Sequence, residues 1–265
     1  VGLMTTLAGI GLSLKIIETI RIDPRYSPQK TFVRWLRNIS VFLSKRCIVQ
    51  NELQKEYFPK WFQRRIAVFP NPISNAFVQC EKVFTNEEIR NIVAVGRLER
   101  QKNHYMLIRA FEKITEVNKK VKLRIYGKGS LYRELNAYIK QKGLSGRVFL
   151  CGRTNDMCKV LRESDLFILS SDAEGMPNAL MEAMAIGLPC ISTNCETGPS
   201  DLIEDGVNGY LIPVGDEEAL VKRMNDMIEN IDDAIIMGKR ARETIIKDYT
   251  AEMSARKLLD FIESI

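Results

Sequence analysis

The 265-residue sequence has one histidine, His104, two tryptophans, and six cysteines of which no two form a CxxC pair. One imidazole and scattered thiols leave no ligand set for zinc or another transition metal. Cys47, Cys80, Cys151, Cys158, Cys190 and Cys195 are spread along the chain. Three of them lie in apolar runs, where a thiol behaves as a small hydrophobe, and the expected setting is reducing and cytoplasmic. No Asp-x-Asp follows an apolar run, which removes one way of holding a divalent cation at a strand end. Long hydrophobic runs are missing too. Residues 1–14 are apolar but broken by Thr5, Thr6 and Ser13, and Lys15 and Glu18 follow. That is too short to span a bilayer and does not read as a signal peptide. The chain opens on Val1 rather than Met, which raises the expectation of a piece of a longer protein.

What is present reads as a globular protein. The hydrophobic share is 45% and the charged share 27%, ordinary values. The length allows one large domain, or one complete and one partial. The net charge of +6 is uneven. Residues 21–65 hold eleven Lys/Arg against three Asp/Glu, a net of +8, and residues 66–265 carry −2. Phe32, Trp35, Phe42, Tyr57, Phe58, Trp61 and Phe62 interleave with these cations. Two readings stand side by side: solvated helix faces over an aromatic core, and a surface that meets an anionic membrane. No nucleic-acid-binding motif is present.

The apolar pattern changes near residue 73. Before it, residues 1–20 read as one apolar helix, with a short strand at its end as the alternative, 31–43 as an amphipathic helix, and 47–50 and 65–69 as short buried strands, with Asn51 capping a helix. Pro70-Asn71-Pro72 punctuates the chain, and residues 73–90, polar and weakly patterned, read as a linker. From 91 onward strands alternate with helices: strands at 91–96, 121–126, 147–151, 165–170, 189–193 and 210–213, and helices near 103–117, 131–142, 155–163, 177–186, 199–204, 216–229, 231–247 and 250–263. This predicts an α/β fold, a Rossmann-like parallel sheet with helices on both faces, preceded by an incomplete Rossmann-like lobe. The predicted domains are 1–75, 76–248, and a last helix over 249–265 packing back toward the first.

Ligands of such sheets bind outside the carboxyl ends of the strands, and there the chemistry-bearing residues fall. Glu174 lies in the turn after the apolar strand Leu166–Leu169, and Glu182 about one and a half turns into the next helix, with Pro177 near its first position. Two carboxylates with free helix amides between them suit a ligand carrying both phosphate and hydroxyl groups. Gly96-Arg97 ends an earlier strand and Lys102 precedes a helix; the two cations suit a diphosphate. Gly127-Lys128-Gly129 lets backbone approach a ligand. Gly152-Arg153-Thr154 offers backbone groups to a base. His104 reads as a capping or solvent-facing residue, and Gly198–Asp201 and Gly206–Gly209 as structural turns.

Together Val95-Gly96-Arg97 through Lys102-Asn103, Tyr126-Gly127-Lys128-Gly129, the Glu174-x7-Glu182 stretch with its Gly-Met-Pro-Asn filling, and Gly198-Pro199-Ser200 through Leu211 resemble the group-1 retaining glycosyltransferases of GT-B architecture. The likeness covers roughly residues 45–265. It implies that Arg97 and Lys102 bind the donor diphosphate, that Glu174 orients the donor sugar as the catalytic carboxylate, that amides near Met176, Pro177 and Asn178 help hold the donor, and that Glu182 accepts from the ribose hydroxyls. Gly96, Gly127 and Arg153 complete the implied donor site.

The implied reaction moves a hexosyl or N-acetylhexosaminyl group from a nucleotide-diphosphate sugar, with uracil the favoured base, to a glycan or lipid-linked acceptor. The anomeric configuration is kept and no cofactor or metal is used, as in the assembly of capsule, lipopolysaccharide or exopolysaccharide. The implied location is cytoplasmic and peripheral at the inner face of the membrane, through residues 21–65. Thr5-Thr6-Leu7-Ala8 and Arg21-Ile22-Asp23-Pro24-Arg25 also fit the family, at short spacing. The family's glycine-rich first loop and the histidine of its amino-terminal lobe are missing, so a truncated enzyme is expected. The alternatives are a non-catalytic nucleotide-sugar-binding fragment that needs a partner lobe, and a GT-B relative such as a UDP-sugar epimerase or a phosphorylase. The phosphorylase requires a longer chain and a lysine-bound cofactor.

Overall fold

In the computed structural model the described residues are all except 1, 10–11, 13–14, 22–23, 26–29, 85–87 and 264–265. Ile22 and Asp23, counted above in the resemblance, lie outside them. The chain divides into two compact units: residues 1–72, 174–176 and 251–265, and residues 73–173 and 177–250.

The first unit begins with α1 (Gly2–Ala8) and β1 (Ile17–Thr19), followed by α2 (Thr31–Leu43), β2 (Arg46–Val49), α3 (Glu52–Glu56), α4 (Lys60–Gln63) and β3 (Ile66–Val68). The helix expected over most of residues 1–20 is a correction, since α1 has only seven residues; the short strand at the end of that segment is present, with Glu18 paired to Cys47. The three strands form a parallel sheet in the order β1-β2-β3. Its core holds Val41, Cys47, Val49, Phe58, Phe62 and Ile66. The aromatics of the basic stretch split by side. Phe58 and Phe62 are buried, whereas Phe32, Trp35 and Trp61 are exposed.

In the second unit, α5 (Asn75–Gln79) precedes β4 (Asn91–Val95). The segment expected to be an unstructured linker thus contains a helix. Ser74 caps it by accepting from the Ala76 N–H, a five-residue element too short to show a period. There follow α6 (His104–Val117), β5 (Lys122–Tyr126), α7 (Tyr132–Gln141), β6 (Val148–Gly152), α8 (Met157–Arg162), β7 (Leu166–Leu169), α9 (Asn178–Ile186), β8 (Cys190–Thr193), α10 (Pro199–Leu202), β9 (Tyr210–Ile212), α11 (Glu217–Glu229) and α12 (Ile231–Asp248). The last helix, α13 (Ala251–Glu263), groups with the first unit, where Phe261 meets Phe69 at 5.4 Å between ring centroids.

The six strands of the second unit are parallel, in the order β6-β5-β4-β7-β8-β9. The order runs outward from β4 in one direction and then from β7 in the other. This places the topological switch point between β4 and β7, where ligands of doubly wound sheets bind. Leu166–Leu169 and Cys190–Thr193 are buried at every position, as strands covered on both faces must be. Asp165 pins the start of β4. Its Oδ2 accepts from the N–H groups of Arg90 at 3.0 Å and Asn91 at 2.9 Å, and Lys82 Nζ lies 3.5 Å from Oδ1.

Candidate functional site

Three glycines stand at the ends of three adjacent strands of the second unit, and backbone hydrogen bonds tie each strand end to the next. The Gly96 N–H donates to the Tyr126 carbonyl at 2.9 Å, and the Gly127 N–H to the Gly152 carbonyl at 2.7 Å. Gly127 has φ +152°, a region L side chains rarely adopt. In front of them lies a cavity of about 180 Å³ lined by Val95, Gly96, Tyr126, Gly127, Gly152, Arg153, Thr154 and Met157. Whole-ligand pockets of drug-sized molecules run from about 300 to 1,000 Å³, so this is a subsite for one ring-sized group. The structure therefore brings Gly96, Gly127 and Arg153 into one place.

Beside it, the loop after β4 is laced to the loop after β7. The Asp172 N–H donates to Gln101 O at 2.8 Å, Gln101 Nε2 to Ala173 O at 2.6 Å, Asn103 Nδ2 to Asp172 Oδ1 at 2.7 Å, and Ser170 Oγ to Lys102 O at 2.9 Å. Asn103 carries the one positive φ of a non-glycine described residue, +44°, a conformation asparagine tolerates better than most. Its Oδ1 caps α6 by accepting from Met106. Arg97 is exposed in this loop, and its carbonyl accepts from His104 Nε2 at 3.2 Å. The stem of Lys102 lies over Gly96, where an added Cβ would come 3.2 Å from Lys102 Cδ.

His104 corrects an expectation. It is neither capping nor solvent-facing: it is 4% exposed, burial pushes its pKa down to about 4, and Nδ1 has no partner. It supports the loop from below.

Pro177 occupies the N-cap position of α9, one place earlier than expected, and Asn178 is the helix's first residue. Leu180, Met181, Ala183, Met184, Ala185 and Ile186 are buried, and Glu182 among them is partly exposed. Desolvation pushes the Glu182 carboxyl up to about 7, and it has no hydrogen bond from a described residue. A partly desolvated carboxyl with a raised pKa marks a functional-site candidate.

Glu174 and Met176 group with the first unit. In that unit Gly175 sits against two buried amides: a Cβ there would lie 3.3 Å from Gln50 Oε1 and 3.6 Å from Gln54 Nε2. Both amide atoms, and Asn51 Nδ2, lack hydrogen-bond partners. Asn51 does cap α3, as expected, through Oδ1. Gln50 and Gln54 belong to none of the motifs that the sequence shows. The available signal was a polar cluster directly after β2, at the carboxyl end of a parallel strand.

The comparisons with known proteins agree with this architecture. Residues 79–244 match the family model for glycosyl transferases group 1. The chain belongs to that family. A poly(ribitol-phosphate) alpha-N-acetylglucosaminyltransferase of Staphylococcus aureus is 32% identical over 193 residues, 72% of this chain and 39% of that protein. A putative colanic acid biosynthesis glycosyltransferase, WcaL, of Escherichia coli is 32% identical over 183 residues, 66% of this chain and 45% of its own length. The chain thus spans less than half the length of these relatives. Among solved structures, a TarM variant of S. aureus in complex with fondaparinux, alpha-GlcNAc-glycerol and UDP superposes with a TM-score of 0.80 at 25% identity, over 92% of this chain and 50% of that one. Anabaena HepE in complex with UDP gives 0.88 at 18% identity, over 100% and 76%, a likeness of fold. The group-1 transferase has GT-B architecture, with relatives named for polysaccharide and cell-wall polymer synthesis.

Proposed function

We propose that this group-1 glycosyltransferase takes its sugar from a UDP-linked donor and passes it, with retention, to a glycan or lipid-linked acceptor in surface-polysaccharide assembly. The observation that carries the reading is the placing of Glu182 on α9, a partly buried carboxyl with no hydrogen-bond donor among the described residues, raised to about 7 by desolvation. A ribose supplies two. The glycine-lined cavity takes the base, with Arg153 at its wall. Arg97, Lys102 and the N-terminal turn of α9 take the diphosphate by their positive charge and the helix dipole. Glu174 orients the donor sugar through its hydroxyls.

In the transfer itself the acceptor hydroxyl bonds to the anomeric carbon as the bond to the β-phosphate oxygen breaks, and the departing diphosphate takes the acceptor's proton. Positive charge from Arg97, Lys102 and the helix stabilises that leaving group without a divalent metal. No helix among the described residues is long and apolar enough to cross a membrane. The proposed location is cytoplasmic, with peripheral contact to anionic lipid through residues 21–65.

A thermal-melting panel of UDP, GDP, ADP and several UDP-sugars tests the reading. UDP and at least one UDP-sugar should raise the midpoint in EDTA. A panel in which no uridine ligand moves it overturns the donor assignment. The second reading, a binding module without activity, is favoured if UDP binds but UDP-sugar with acceptor yields no product. The chain's span of less than half of its relatives keeps that reading in play.

A further inference from the structure

The first unit holds a cavity of about 350 Å³ unrelated to the donor residues, with Thr6, Leu43, Lys45, Arg46 and Arg65 in its lining. It lies at the amino ends of the strands. Lys45 and Arg46 open β2, and Arg65 immediately precedes β3. The Lys45 N–H donates to Ile16 O at 2.9 Å, and Cys47 N–H to Arg65 O at 3.0 Å, which fixes this rim. Among the described residues, three cations and no acid line the cavity. Glu18, the nearby carboxylate, is taken up by Thr6 at 2.9 Å and by Ser40. None of the three cations has an ion pair among the described residues, and Lys45 and Arg65 are exposed.

The surroundings are apolar and open. Leu43 is 51% exposed and Trp61 66%. Trp61 stacks on Phe42, the neighbour of Leu43, at 5.5 Å. Lys60 and Arg64 stand exposed around Trp61. Exposed tryptophan and leucine beside unpaired cations suit a medium that is anionic at its surface and apolar beneath, which a soluble polyanion is not. The charge of the region fits: residues 21–65 carry +8 while residues 66–265 carry −2.

We propose that this cavity seats the phosphate of an anionic phospholipid headgroup, with Leu43 and Trp61 at the boundary with the acyl chains. The proposal rests on the membrane part of the function proposed above and not on the donor part.

Co-sedimentation of the full chain with vesicles tests it, comparing phosphatidylcholine alone with phosphatidylcholine–phosphatidylglycerol mixtures. The mixed vesicles should bind the chain and the neutral ones should not. Each of Lys45→Gln, Arg46→Gln and Arg65→Gln should weaken binding about fivefold, from the ~1 kcal/mol that a basic residue gains near an anionic surface. Trp61→Ala should cost roughly tenfold. UDP melting shifts measured on the same variants should be unchanged, which separates this failure from that of the donor site. Three outcomes overturn the proposal: equal binding to both vesicle types or none, full binding by the triple glutamine variant, and competition by glycerol phosphate in solution without vesicle binding, which marks a soluble-anion site. Concentration-dependent self-association abolished by Trp61→Ala, without vesicle binding, also overturns it by assigning the face to a second copy.

Discussion

A Cβ placed on Gly127 would lie 1.8 Å from the carbonyl oxygen of Gly96. The loop after β5 therefore passes directly over the loop after β4, and only the lack of a side chain allows it. Gly127 also sits at φ +152°, so a substitution meets both a clash with rigid backbone and a backbone strain. Gly127→Ala should lower the unfolding free energy by about 1–3 kcal/mol and abolish UDP binding at temperatures where the variant remains folded. Urea melts and calorimetry check this. A variant with wild-type affinity would show that the glycine stack does not shape the base subsite.

Arg97 and Lys102 hold the same phosphates in the proposed site, but by different means. Arg97 is exposed and free to present its planar fork, whereas Lys102 lies along Gly96. Arg97→Ala and Lys102→Ala should each weaken UDP binding by about 1.5–3 kcal/mol, tenfold or more in Kd. Uridine, which lacks phosphate, should bind both variants as it binds the parent. Calorimetry with UDP and uridine makes the comparison. Unchanged UDP affinity in both variants would remove the diphosphate from this loop.

The strand–helix alternation from residue 91 onward was legible because the strands are near-continuous apolar runs and several helices carry a start signal. Asn103, Asp156 and Asp216 all cap as side chains at the helix starts they precede. The site loops were legible for the same reason, since they fall where apolar runs stop at Gly96, Gly127 and Gly152. The four- and five-residue helices α4 and α5 were not legible, because a single turn shows no period. His104 was misjudged since burial comes from tertiary packing, and nothing in its neighbours along the chain announces it. Gln50 and Gln54 were missed because their interest lies in partners they lack.

Lys82 and Asp165 form a buried ion pair, 5% and 4% exposed in their side chains. Asp165 also receives two backbone N–H groups at the start of β4. Asp165→Ala leaves both amides without their acceptor and Lys82 without its counter-charge, the Arg162 carbonyl at 3.2 Å remaining to it, which should cost about 3–5 kcal/mol. Lys82→Met leaves the carboxylate its two amide donors and should cost clearly less. Equal losses in denaturant melts would show that the pair, not the amide anchoring, dominates.

Glu182 and His104 give the chain two opposing pH responses. The Glu182 carboxyl is raised from 4.5 to about 7 by burial. Its proton is held more tightly in the folded state, so its contribution is full below pH 4.5 and is lost as pH rises through about 7. His104 is lowered from 6.5 to about 4, again by burial. Its contribution is full above pH 6.5 and is lost as pH falls through about 4. Each shift is on the order of 3 kcal/mol, and between pH 4.5 and 6.5 the two slopes cancel. Glu182→Gln removes the falling component. The variant should match the parent near pH 4.5 and exceed it by up to about 3 kcal/mol at pH 7.5, and its own stability should rise between pH 4.5 and 6.5. Ligand binding should move the other way. An ionised Glu182 is the better acceptor for ribose hydroxyls, so the parent's advantage over Glu182→Gln in UDP affinity should grow from pH 6 to pH 8. Denaturant midpoints and calorimetry across that range measure both. A stability gap that does not change with pH would mean that Glu182 titrates as an ordinary solvated carboxylate, and the desolvated-carboxylate basis for the ribose site would fall with it.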